Sequence, residues 1–261
     1  MERINTLRAL EKALLIVSTF SLQKAEWGVS ELAETLQLNK SNVFKILRTL
    51  TEYGFMEQDE GTRRYRLGLK FFELGMVVAA RMELRKVALP IMEKLVASTG
   101  ETCLLTVRQD TTSMCVEKVE SREAVHMTAK VGLTSPLYAG ASNKALLAFM
   151  DPEEVRKLIS RLDIKSYTTE TITDGTKLME DLALARQRGY TYSVGEVERG
   201  IAALGAPVYD FAGHLVASLS LVGSASRLTP ERSLELSGLV KRGADEISRQ
   251  LGKVDTVSNS G

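Results

Sequence analysis

The chain has 261 residues and a mass of 28.7 kDa, room for one or two domains. Hydrophobic residues make up 44% and charged residues 26%, an ordinary globular balance that excludes disorder and collagen-like structure. The apolar run at 9–20 is interrupted by Glu11 and Lys12, so no membrane span is expected. With no secretory signal pattern and only Cys103 and Cys115 as thiols, the chain reads as cytoplasmic and reduced.

Lys and Arg number 34 against 33 Asp and Glu, but the charge is unevenly spread. Residues 1–90 carry 14 positive and 11 negative charges, a net of +3, leaving a net of −2 for the remainder. Lys40, Lys45 and Arg48 form one basic cluster and Arg63, Arg64 and Arg66 another. Two small patches on a neutral chain point to a focused anionic contact such as a phosphate backbone.

Residues 6–20 put Leu7, Leu10, Leu14, Leu15 and Val17 at helical spacing, an amphipathic helix with an apolar stripe. Ser30 is positioned to cap a second helix over 31–36, with Glu31 in its favourable first turn. Asn39 caps a third over about 40–53, which buries Val43, Ile46, Leu47 and Leu50 and stops at Gly54. Residues 55–58 and 63–67 read as strands around the polar turn 59–62.

Three helices and a hairpin spell a winged helix-turn-helix. Burial of that apolar set turns Ser41, Asn42, Phe44, Lys45 and Arg48 outward, with Lys40 at the helix start. Such a face suits a DNA major groove. Arg63 and Arg64 at the hairpin tip would reach an adjacent phosphate or minor groove. A helical subdomain serving only protein contacts is the plainer alternative at this point.

Ser30-Glu-Leu-Ala-Glu-Thr-Leu36, the run 38–50, Gly54-Phe55 and Tyr65-Arg-Leu-Gly68 resemble the winged helix of IclR-type transcriptional regulators. The next helix, 69–83, is apolar on more than one face and so must bury against something. The corresponding helix in IclR-type proteins links the domains and packs in a dimer. The resemblance therefore implies a homodimer or a dimer of dimers. Pro90 lies inside a further helical pattern, 84–99, and is expected to kink or break it.

Beyond Gly100, segments 103–108, 113–119 and 124–131 read as strands and 141–150 as a helix. Asp151 and Pro152 start a helix through 162, and Gly189 ends one over 177–188. Strands 201–209 and 214–222 follow, then a helix capped by Thr229 and running to about 251. The whole reads as an α/β (α+β) chain whose second domain is an antiparallel sheet covered by helices.

The landmarks of that domain also resemble the IclR family, which carries a GAF-like effector domain here. They are Gly100-Glu-Thr, 116–121, 136–145, Arg188-Gly-Tyr190, 200–208 and 216–223, so the resemblance covers about residues 6–252. It divides the chain into a DNA-binding domain (1–68), a linker helix (69–89), an effector domain (90–252) and a tail expected to be disordered (253–261).

Carried over by position, the resemblance implies backbone donors at Ala141 and Ser142 for an acidic effector. Positions that are polar in members binding small keto acids fall on Ser193, Ala203 and Val222, while Ser220 keeps a hydroxyl. Fewer polar groups leave a small carboxylate poorly compensated on burial, so a bulky or aromatic carboxylic acid is expected.

No catalytic constellation is visible. His126 and His214 lack partners at metal-ligand spacing, no phosphate-loop or nucleophile-elbow motif occurs, and Glu196 and Glu198 read as solvated loop charges. No metal and no cofactor are expected. The reading is a DNA-binding transcriptional regulator, its partners double-stranded operator DNA, a small-molecule effector and a second copy of itself, with no membrane. A sensing or catalytic domain with a vestigial DNA-binding head is the alternative.

Overall fold

A computed structural model describes residues 7–21, 24–81, 83–122 and 129–252. The chain divides into two compact units, 1–81 and 82–261. His126 and the tail 253–261 lie outside the described residues, as does most of the strand expected at 124–131, whose described end, 129–131, is not strand.

In the first unit, α1 (Arg8–Ser18), α2 (Val29–Thr35) and α3 (Lys40–Glu52) pack around Ile16, Phe20, Trp27, Leu32, Val43 and Leu47. The antiparallel pair β1 (Met56–Gln58) and β2 (Tyr65–Leu67) closes this core with Met56 and Tyr65. Trp27 and Tyr65 exchange backbone hydrogen bonds of 3.0 and 2.8 Å, which ties the segment before α2 to β2. α4 (Leu69–Arg81) completes the unit.

Two local expectations change. The α2 cap is Gly28, not Ser30, and the Glu31 carboxylate reaches back to accept the Gly28 N–H at 3.3 Å. In α1 the buried positions are Ile16 and, just beyond the helix, Phe20. Leu7, Leu10, Leu14 and Leu15 remain exposed, because the small core is already filled by α2 and α3.

The second unit is a six-stranded antiparallel sheet in the order β5-β4-β3-β8-β7-β6. The strands are β3 (Thr102–Gln109), β4 (Thr112–Val119), β5 (Thr134–Pro136), β6 (Thr191–Val194), β7 (Ile201–Tyr209) and β8 (Leu215–Ser224). One face is covered by α5 (Glu83–Thr99) and α9 (Pro230–Gln250), which bury Ile91, Met92, Leu95, Val240 and Ile247 against it. α6 (Ala141–Ala148) lies on the other face and packs with α7 (Pro152–Ile159) and α8 (Gly175–Arg188). Asp151 caps α7 by accepting the Glu153 and Glu154 N–H groups at 2.9 and 3.1 Å.

Pro90 neither ends nor splits α5. It sits on the exposed face, so the Lys86 carbonyl that loses its helical donor is on the water side, while Ala88, Ile91, Met92 and Leu95 hold the helix to the sheet.

Period-two alternation sorts the sheet residues. Cys103, Leu105, Val116, Leu204, Leu219 and Leu221 face α5 and α9. Leu104, Cys115, Ala203 and Val222 face α6, where they form a separate small cluster with Ala141.

Candidate functional sites: a basic helix face and a pocket under α6

The first site is built on α3. Asn39 accepts the Ser41 N–H at 2.9 Å and fixes where the helix begins. With Val43 and Leu47 buried, the expected residues Lys40, Ser41, Asn42, Phe44, Lys45 and Arg48 share an exposed surface. Lys40, Lys45 and Arg48 make no ion pair among the described residues. Phe44, 47% exposed, is a large apolar group set among polar neighbours.

The hairpin is less basic than its sequence. Asp59 turns inward and accepts from Thr62 N at 2.7 Å, Thr62 Oγ1 at 2.9 Å and Gly61 N at 3.1 Å. These bonds, those from Thr62 foremost, hold its carboxyl below the usual range. Arg63 follows at φ +58° with its side chain exposed. Arg64, expected beside it at the tip, folds back onto Glu31 at 2.7 Å and the Glu26 carbonyl at 3.2 Å. Arg66 pairs with Glu57 at 3.0 Å.

The second site is a cavity, partly open to solvent, between the start of α6 and the sheet. Of the residues expected to hold an effector, Ala141, Ser142, Ser193, Ala203 and Val222 line it. Ser220 does not. It stands behind Ser142, the two hydroxyl oxygens 2.6 Å apart. Thr106, Ser113, Cys115, Lys130 and Asn143 line the cavity as well. The alternation of 113 and 115 against 114 and 116 was the signal that could have found the β4 pair.

The chain itself occupies the first donors of α6. Gly140 N donates to Glu196 Oε2 at 2.9 Å and Ala141 N to Ser193 Oγ at 2.9 Å. Ala141 is therefore not the open donor that position alone implied. Among the described residues the amides of Ser142 and Asn143 have no protein acceptor. The helix is pinned from below by Thr191 Oγ1 donating to Ala141 O and Ser218 Oγ donating to Ser142 O, at 2.8 and 2.7 Å.

Glu196 is no solvated loop charge. It is buried and bonds to Lys144, which has no exposed surface and also reaches Asp181. The burial follows from the apolar setting of Lys144, between Asn143 and Ala145-Leu146-Leu147 in a helix covered on both sides. A lone lysine in such a run was the readable hint. His214 lies on the surface, 3.4 Å from Asp210, and no described cluster of three His, Cys, Asp or Glu could hold a metal.

Residues 9–60 match the IclR helix-turn-helix domain, and residues 76–249 match the C-terminal domain of the bacterial transcriptional regulator IclR. The chain belongs to the IclR family. It is 35% identical over 248 residues to the HTH-type transcriptional regulator KipR of Bacillus subtilis, covering 95% of this chain and 98% of KipR. The crystal structure of the Thermotoga maritima IclR is similar, with 33% identity and TM-score 0.73 over 95% of this chain and 100% of that one. An IclR homologue from Microbacterium hydrocarbonoxydans, complexed with 4-hydroxybenzoate, matches at 25% identity and TM-score 0.81, over 93% and 98%. As an IclR-family regulator the chain pairs a DNA-binding helix-turn-helix with an effector-binding C-terminal domain. No helix among the described residues is long and apolar enough to cross a membrane.

Proposed function

We propose that this IclR-family regulator binds operator DNA as a homodimer, or a dimer of dimers, and releases or tightens that grip when a bulky or aromatic carboxylic acid enters the pocket under α6. Residues 1–68 read the DNA, 69–89 link and 90–252 bind the acid. Lys40, Lys45, Arg48 and Arg63 meet phosphates, while Ser41, Asn42 and Phe44 set sequence preference.

The observation that carries the effector reading is the junction at α6. The open Ser142 and Asn143 amides and the Ser142 hydroxyl stand beside a wall of Leu104, Ile201, Ala203 and Val222. Helix-terminal donors suit a carboxylate, and of the charged residues in the lining Lys130 favours an acid while Glu198 opposes it. The apolar wall suits a ring rather than a two- or three-carbon acid. The 4-hydroxybenzoate bound by the Microbacterium homologue supports the same chemical class.

The dimer reading is supported by the apolar residues that α1 and α4 leave exposed: Leu10, Leu14 and Leu15 on one, Leu69, Phe72 and Val77 on the other. A second copy also supplies the second reading head that a palindromic site requires.

Fluorescence anisotropy on the DNA upstream of the gene, across a salt series and with benzoate, 4-hydroxybenzoate, pyruvate and glyoxylate added, tests the reading. The expected result is binding that weakens steeply with salt, is lost in the Lys45→Ala/Arg48→Ala double variant, and shifts with the aromatic acids alone. A response to pyruvate or glyoxylate that exceeds the response to both aromatic acids overturns the effector class. Double-variant binding equal to wild type overturns the DNA face.

A further inference from the structure

The hairpin carries three arginines within four residues, yet they are not equivalent. Arg66 is held by Glu57 across the two-stranded sheet. Arg64 points away from the tip and spans from the hairpin to α2, donating to the Glu31 carboxylate and the Glu26 carbonyl. Glu31 is held from its other side by Lys24, whose ammonium also lies 3.4 Å from the centre of the Trp27 ring. Those bonds, led by Lys24 and the Gly28 N–H and joined by the charge of Arg64, hold the Glu31 carboxyl below its ordinary range, so it stays an anion. Next to this cluster runs the Trp27–Tyr65 backbone bridge. Arg63 alone is presented outward, in a left-handed turn whose backbone is fixed by its own N–H to Asp59 O and by its carbonyl accepting from Gln58 Nε2.

Resting on the DNA-binding reading above, we propose that Arg64 is a positioning residue and not a phosphate contact. It fastens the hairpin to α2, and α2 packs directly on α3. Hairpin and recognition helix thus form one reading head, and Arg63 is the hairpin's phosphate contact. Glu31 is the anchor of this clamp. Both bonds leave one guanidinium nitrogen, Nη2, at the end of a side chain one atom longer than that of lysine, so an ammonium in its place would fall short of the two oxygens. Losing the clamp changes where Arg63 stands, but it removes no charge from the phosphate contacts.

Salt titrations separate the roles, because the slope of log K against log salt counts neutralised phosphates at about 0.9 each. The probe is a random-sequence DNA duplex of about 30 base pairs, since phosphate-driven binding needs no operator. Arg63→Ala is expected to reduce the slope by about 0.9 for each head bound. Arg64→Ala, Arg64→Lys and Glu31→Gln should keep the wild-type slope and lose affinity to a similar extent, about two- to fivefold, as an exposed pair allows. Circular dichroism checks that each variant is folded.

Two outcomes overturn the assignment directly. Arg64→Lys could retain wild-type affinity, as a charge-only contact would. Glu31→Gln could raise both affinity and slope, as release of a sequestered phosphate contact would. An unchanged slope in Arg63→Ala overturns its half of the proposal. The Lys45→Ala/Arg48→Ala variant on the same duplex keeps the two levels apart. If it binds like wild type the DNA face itself is wrong, and if it loses binding while the hairpin variants misbehave only the division of labour fails.

Discussion

The Lys144 ammonium lies 2.5 Å from a carboxylate oxygen of Glu196, and the other oxygen of that carboxylate accepts the Gly140 N–H at 2.9 Å. A buried charge is thereby wired to the backbone at the lip of the pocket. Asp181 on α8 takes a second Lys144 bond at 2.7 Å, so one ammonium joins α6, α8 and the loop after β6. Removing it strands a buried carboxylate. Lys144→Met should cost about 3–5 kcal/mol, and pairing it with Glu196→Gln should recover part of that loss. Trp27, the chain's single tryptophan, lies in the first unit. The loss should therefore appear in urea melts followed by circular dichroism and leave the tryptophan fluorescence midpoint in place. Equal melts for the single variant and wild type would remove the pair from any structural role.

Gly205 on β7 lies directly under α6. A Cβ there would stand 2.7 Å from Thr191 Oγ1 and 2.8 Å from the Ala141 carbonyl oxygen, closer than real contacts allow. Gly205→Ala should lift the start of α6 from the sheet, cost about 1–3 kcal/mol and weaken binding of an aromatic acid in calorimetry. Its DNA binding without ligand should match wild type. An unchanged calorimetric affinity would mean that the seating of α6 does not govern the pocket.

Phe72 is 68% exposed on α4, whereas its neighbour Phe71 is engaged edge-on with Phe55 at 5.2 Å. Phe72→Glu should leave the first unit folded and shift sedimentation velocity from dimer to monomer, with weaker binding to a two-half-site duplex. A wild-type protein that sediments as a monomer at tens of micromolar would end the dimer reading.

Cys115 faces the pocket, donates to the Glu117 carbonyl at 3.3 Å, and is pushed up to about 11 by burial. Burial drives the deeper Cys103 upward too. Both keep their protons in the folded chain at pH values where an unfolded thiol, with a pKa of about 8.5, has lost its own. Their contribution to stability is therefore complete below that value and disappears as pH rises through the folded pKa. Urea midpoints should fall between about pH 9 and 11, less steeply in Cys115→Ala, and iodoacetamide at pH 8 should modify the native protein far more slowly than the unfolded one. Equal alkylation rates in the two states would contradict this.

Much of the fold was legible because its signals are local. Asn39, Asp151 and Thr229 cap the helices they were expected to cap, and the stop at Gly54 and the strands at 201–209 and 214–222 follow from turn chemistry and period-two patterning. What failed depends on packing between distant segments. The α1 leucines look like a core stripe until the size of that small core is known. Glu196 looks like loop charge until the fold brings Lys144 across 52 positions to meet it. Arg64 reads as a tip residue because adjacency in sequence says nothing about a partner 33 residues away. Ser220 was expected in the pocket from position alone, and one intervening hydroxyl puts it in the layer beneath.

The three strands β3, β8 and β7 alternate residues that meet the helices α5 and α9 with residues that meet the cavity. Each strand therefore keeps two nearly independent inventories. Replacing Leu104, Ala203 or Val222 alters the wall of the cavity, while Leu105, Leu204 and Leu221 stay in the core against α5 and α9. If the cavity binds the effector as proposed, a lineage carrying this sheet could retune its chemical appetite by single substitutions without first finding a new way to fold.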